Sequence, residues 1–208
     1  MEFQLHERIS DQHLVGETIR IGDDWAESIV RCTLEDCHII VDVPRGSALI
    51  LDSQLTNSTV ETKKRMKDAR FFGSDYIGCK FKGKFSGVDF GRSPWPGPLT
   101  NEMDKYGDMV DCDFSEATLD LCRFFNVGIA RQKFAPWPQF VIPHDRELVA
   151  ARSNGPWPGK FAEYLAVAEQ ENPTLAATTG TVAYFMKRNS MTQEELEQAL
   201  NRIGGVIR

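Results

Sequence analysis

Residues 107–131 divide into five units of five: Gly-Asp-Met-Val-Asp, Cys-Asp-Phe-Ser-Glu, Ala-Thr-Leu-Asp-Leu, Cys-Arg-Phe-Phe-Asn and Val-Gly-Ile-Ala-Arg. The third position is large and apolar every time: Met109, Phe114, Leu119, Phe124, Ile129. The first is small: Gly107, Cys112, Ala117, Cys122, Val127. A period of five is neither the 3.6 of a helix face nor the 2 of a flat strand. A chain that sends a bulky residue inward every five positions must turn a corner between them, and a small residue two places earlier shares the interior without crowding it.

The same grid runs through 69–83, centred on Phe71, Tyr76 and Phe81. A four-residue step then leads to Phe85, and Val88-Asp89-Phe90 follows. Upstream it is fainter, with Cys32-Thr33-Leu34, Cys37-His38-Ile39, Ser53-Gln54-Leu55 and Ser58-Thr59-Val60. These units resemble the pentapeptide-repeat family, whose pattern is small, Asp/Asn, Leu/Phe, Ser/Thr, variable. The resemblance covers 107–131 and 69–92 most closely and about 25–60 more loosely. It leaves out 1–20, 93–106 and 140–208. It implies a mainly β fold: a right-handed quadrilateral β-helix in which four faces make a coil of about twenty residues, with a loop inserted at about 93–106 and a small α-helical C-terminal cap. Coils stack at about the 4.8 Å of paired strands, and the grid provides for four to five of them. Each contacts only its neighbours, so the ends need caps. The organisation read from this is an N-terminal cap over 1–24, the β-helix over 25–140 and a partly helical extension over 141–208.

All five cysteines, Cys32, Cys37, Cys79, Cys112 and Cys122, lie two residues before a large centre. A free thiol in that inward slot packs as a small hydrophobe. The competing reading is a metal site or disulfides, but the spacings lack a matching second ligand pair. Pro-Trp-Pro occurs at 94–96, 136–138 and 156–158. Proline has no amide to give to a sheet interior, so these segments read as loops or coil ends. Trp137 and Trp157 read as covers for the coil, and Trp95 as a candidate partner anchor. Near the C-terminus 161–170 reads as a helix. Thr192 and Glu195 form a capping box, ahead of an apolar stripe of Leu196, Ala199, Leu200 and Ile203. Residues 179–188 fit either a helix or a strand.

Over 208 residues, 24 Lys+Arg against 30 Asp+Glu give a net charge of −6, which argues against a general nucleic-acid binder. The charge is uneven. Residues 61–84 hold eight cations against three acids, and residues 101–121 hold seven acids against one cation. On the grid Asp108, Asp111, Asp113, Glu116 and Asp120 all point outward. With Trp95 and Asp104 they form the candidate protein-binding set, a face suited to a basic partner. No apolar run approaches 18 residues, and Met1–Glu7 lacks the features of a signal peptide. The expected setting is therefore the cytoplasm.

No phosphate-binding loop, nucleophile elbow or dinucleotide fingerprint is present. The four histidines are scattered, and Gly22-Asp23-Asp24 reads as a turn. The expectation is a chain that is not an enzyme, with no catalytic residue, cofactor or metal. The degenerate prism, Pro-Trp-Pro loops and helical tail resemble immunity proteins found beside bacterial polymorphic toxins. That resemblance implies a non-enzymatic protein that neutralises a toxin domain, with homodimerisation through the C-terminal cap. The alternative is a DNA mimic that binds a type II topoisomerase, which requires continuous acidity that the 61–84 stretch interrupts. The third reading is an uncharacterised enzyme.

Overall fold

The computed structural model describes residues 6–22, 27–47, 50–92, 106–144, 158, 161 and 174–208. Its centre is a β-solenoid of about five turns. Parallel pairing places the large centres in register. Leu14, Leu34, Leu55, Tyr76 and Met109 form one column. Ile19, Ile39, Val60 and Phe81 form the next, continued by Phe114 and Phe134. A further column runs through Ile9, Ile29 and Ile50, then through Phe71, Phe90 and Phe124. The last aligns Met66, Phe85 and Leu119. In chain order these belong to a first face (Ile9 column), a second (Leu14), a third (Ile19) and a fourth (Met66). The solenoid thus begins within the segment read as an N-terminal cap, since His13–Val15 and Thr18–Ile21 pair in parallel with the coil that follows.

The interior is filled. Leu34, Ile39, Leu55, Val60, Tyr76, Phe81, Phe90, Phe114, Leu119 and Phe124 are all fully buried. From Phe71 onward the rings stack from coil to coil. Phe81 lies on Phe114 at 4.7 Å and 9°, and Phe90 on Phe124 at 5.0 Å and 18°. Coil spacing coincides with the offset-stacking distance of aromatic rings, so an aromatic column costs the backbone no distortion.

The small slot carries the hydrogen bonds that join coils. Cys37 Sγ donates to Leu14 O, Ser58 Oγ to Leu34 O, Cys79 Sγ to Leu55 O and Cys112 Sγ to Tyr76 O, at 3.2–3.4 Å. Gln132 ends this column by donating from Nε2 to Met109 O and accepting from the Cys112 amide. All five thiols are free and buried. Burial pushes Cys79 up to about 11, and Cys112 and Cys122 up to about 12.

Corners after the first-, second- and fourth-face centres are mostly single left-handed residues two places after the centre, whereas the strands of the third face run on past theirs. Asp11, Asp36, Asp52, Asn57, Asp68, Asp111 and Asn126 take φ between 48° and 54°, and Gly16, Gly73, Gly78 and Gly87 serve elsewhere. Asp, Asn and Gly are the residues that bear this conformation best. Arg31 at φ 53° and Leu121 at φ 52° are exceptions; Leu121 packs against the C-terminal cap.

At the C-terminal end the sheet changes direction. Leu175–Thr181 pairs antiparallel with Arg123–Phe125 on one side and with Gln139–Pro143 on the other. The alternation of 139–143 divides its two sides. Val141 joins the solenoid core, while Phe140 and Ile142 face a second cluster made by two helices, α1 (Val182–Asn189) and α2 (Gln193–Ile203). Residues 179–188 are therefore strand to Thr181 and helix from Val182, with Thr181 as the N-cap. The capping box of Thr192 and Glu195 is formed, and Leu196, Ala199, Leu200 and Ile203 are buried. Trp137 packs beside Phe140 at 6.4 Å, with the Arg208 guanidinium 5.4 Å over its ring, so it covers the coil end. Trp157, the 93–105 part of the insertion and all but Phe161 of the helix read over 161–170 lie outside the described residues.

Candidate protein-interaction surface

The acidic run does not make one face. It spans a whole turn of the coil, so the five-residue period distributes its members around the axis. Asp108 precedes the second-face centre Met109, Asp113 precedes the third-face centre Phe114, and Asp120 follows the fourth-face centre Leu119.

The neighbouring turns also supply each acid with a cation. Asp108 accepts from Arg92 Nη2 at 2.8 Å. Asp111 is held by Arg131 through two bonds of 3.2 and 2.9 Å, and these raise the arginine further. Asp113 accepts from Lys133 at 3.0 Å and from the Ser115 amide at 2.8 Å. Burial pushes its carboxyl up, but these partners outweigh that and the net direction is down. Glu116 is clasped by Lys80 and, at 3.1 Å, by Lys82. Hydrogen bonds from both hold it below the usual glutamate range. The basic stretch 61–84 and the acidic run occupy adjacent turns: Lys80 is the register partner of Asp113, and Lys82 of Glu116.

Asp120 corrects the expectation of an outward carboxylate. It is 3% exposed, because Leu175–Thr181 closes over the last coil there. Its Oδ1 accepts from the Thr181 hydroxyl at 2.7 Å, and Arg65 stands 3.6 Å from Oδ2. Trp95 and Asp104 lie outside the described residues.

What the sequence reading missed is the second face. Its five strands, His13–Val15, Thr33–Glu35, Ser53–Thr56, Ser74–Ile77 and Met109–Val110, form a single parallel sheet. Register sets Val15, Glu35, Thr56, Ile77 and Val110 in one outward row. Val15 is 55% exposed and Ile77 42%, and these are the exposed large hydrophobics among the described residues. The signal was present in the sequence: both follow a centre directly, at a grid position that faces out, yet both are apolar. The first face differs, because its outer residues Ser28, Val30, Phe72 and Asp89 are buried.

Among the described residues no three His, Cys, Asp or Glu side chains gather as a metal site. No helix there is long and apolar enough to cross a membrane. No family model and no curated protein matches the chain.

Proposed function

We propose that this chain is a right-handed, four-sided solenoid of the pentapeptide-repeat kind that works as a non-enzymatic protein-binding protein. In this reading it is an immunity protein that occupies and neutralises a bacterial toxin domain in the cytoplasm. The second face carries the reading. It is a flat, in-register sheet of five strands, roughly 20 Å along the axis at coil spacing, with Val15 and Ile77 open on one row. Two exposed apolar side chains on a rigid flat surface gain free energy by being covered. The packed interior supports contact through outer faces, since its volume is taken by side chains. The toxin as partner follows from the sequence resemblance. The topoisomerase-binding alternative needs a continuous acidic face, and the pairing of Asp111, Asp113 and Glu116 with cations of adjacent turns weighs against it. In the same reading two copies associate through the C-terminal cap.

The test is co-purification of the chain with the protein encoded beside it, with rescue of cells expressing that protein. The expected result is a stable complex and rescue, both lost in Val15→Lys/Ile77→Lys. Absence of complex and rescue removes the immunity reading, and a complex indifferent to the double variant removes the second face as its seat. A monomer mass in light scattering removes the dimer.

A further inference from the structure

Once the acids of the solenoid are assigned to their cations, charge is left over on the fourth face, and its sign is positive. Lys67 and Lys84 are exposed, and neither ammonium has an ion-pair partner among the described residues. Lys84 also lies beside another cation: Met66 pairs with Phe85, so Arg65, one place earlier, lies alongside Lys84. A like-charge cross-strand pair therefore sits on two adjacent coils, with Lys67 two places after Arg65 on the same face. Like charges directly opposite each other in a sheet are destabilising, whereas the third face of the same solenoid alternates sign, as in His38–Glu61 and Lys133–Asp113. The acids nearest the fourth face are otherwise placed. Asp120 is buried, bonded to Thr181 and 3.6 Å from Arg65, Glu116 holds Lys80 and Lys82, and Asp68 turns the next corner beside Gly87, which leaves Lys67 and Lys84 as the excess charge.

We infer that the fourth face is a docking surface for an acidic segment of a protein, with carboxylates meeting Arg65, Lys67 and Lys84. Adjacent coils lie about 4.8 Å apart along the axis, and alternate side chains of an extended peptide about 6.6–6.8 Å apart. The patch thus takes two or three carboxylates. Arg65 adds the planar donor geometry that suits a carboxylate. The small patch, with only three cations, suits a short acidic peptide rather than a long polyanion, whose affinity needs many phosphate contacts. This surface goes beyond the second-face reading and does not depend on it.

The experiment uses the full chain and a fluorescent decapeptide of alternating Glu and Ser, with the Gln-for-Glu peptide and a single-stranded DNA oligonucleotide as comparators. The expected result is binding of the Glu peptide alone, weakened at least tenfold by Lys67→Glu/Lys84→Glu and by raising salt from 0.05 to 0.5 M, as exposed charge contacts require. Circular dichroism of the variant should be unchanged, because both side chains are exposed. Val15→Lys/Ile77→Lys should leave peptide binding intact, which separates this surface from the second face. No binding of the Glu peptide, binding untouched by the double reversal, or tighter binding of the oligonucleotide overturns the inference.

Discussion

The N-terminal and C-terminal halves of the solenoid share one backbone and fill it differently. From Ile9 to Val60 every described centre is aliphatic. From Phe71 to Phe134 most are aromatic, and the rings of adjacent turns stack. The two halves also end differently. The C-terminal coils are closed by the antiparallel strands and two helices. In the first coil the slot that the next coil fills with Cys32 and Cys37 holds Gln12 and Glu17, both exposed. The slot side chains reach toward the preceding coil, as Cys37 reaches Leu14 O. The lesson is that one five-residue rule admits two cores. In a quasi-one-dimensional fold the better packed and capped half should hold when the other lets go.

The largest expected effect that sharpens this contrast is Phe81→Ala, which removes a ring touching Phe71, Tyr76, Phe85, Phe90 and Phe114. It should cost about 3–5 kcal/mol and shift the whole denaturant transition. Ile39→Val, at the equivalent place two coils earlier, should cost about 1 kcal/mol and move only an early, N-terminal phase. Equal displacement of a single transition by both would break the contrast.

Thiol labelling gives the next effect. In rising urea below the main transition, mass spectrometry of alkylated protein should find Cys32 and Cys37 modified before Cys79, Cys112 and Cys122. Simultaneous modification of all five would make the solenoid one cooperative unit.

The smallest effect is on pH. Thiols held neutral by burial contribute stability that is whole below their ordinary value of 9.0 and lost as pH rises toward about 11–12. The lowered carboxylates Asp113 and Glu116 contribute stability that is whole above the ordinary range and lost as pH falls below about 4. Thermal melts should therefore show a plateau between these limits. Cys112→Ser should flatten the alkaline shoulder of the C-terminal phase, and a shoulder unchanged in that variant would assign it elsewhere.

The repeat made the core of the solenoid legible in the sequence, because third and first positions face inward whatever lies outside. The first coil escaped because Gln12 and Glu17 break the small-residue signature. The corner rule escaped because Asp11, Asp36, Asn57 and Gly78 fill a position read as variable, although Asp, Asn and Gly predominate there. The placement of charge was the least legible part of the candidate site. Segregation along the chain became alternation in space, because 80–82 and 113–116 meet only after the insertion is counted out. Asp120 is buried by Thr181, 61 residues further on, which no local pattern announces.

The central claim is a single register running from Ile9 to Phe134, anchored at its aromatic, capped end. Native-state hydrogen exchange resolved by residue tests it most directly. The account predicts protection that rises by coil, from the amides of Thr33 and His38 through those of Gln54 and Thr59 to those of Asp113 and Arg123, each bonded to the coil before it. Protection that is uniform along the stack, or strongest in the first two coils, would contradict it.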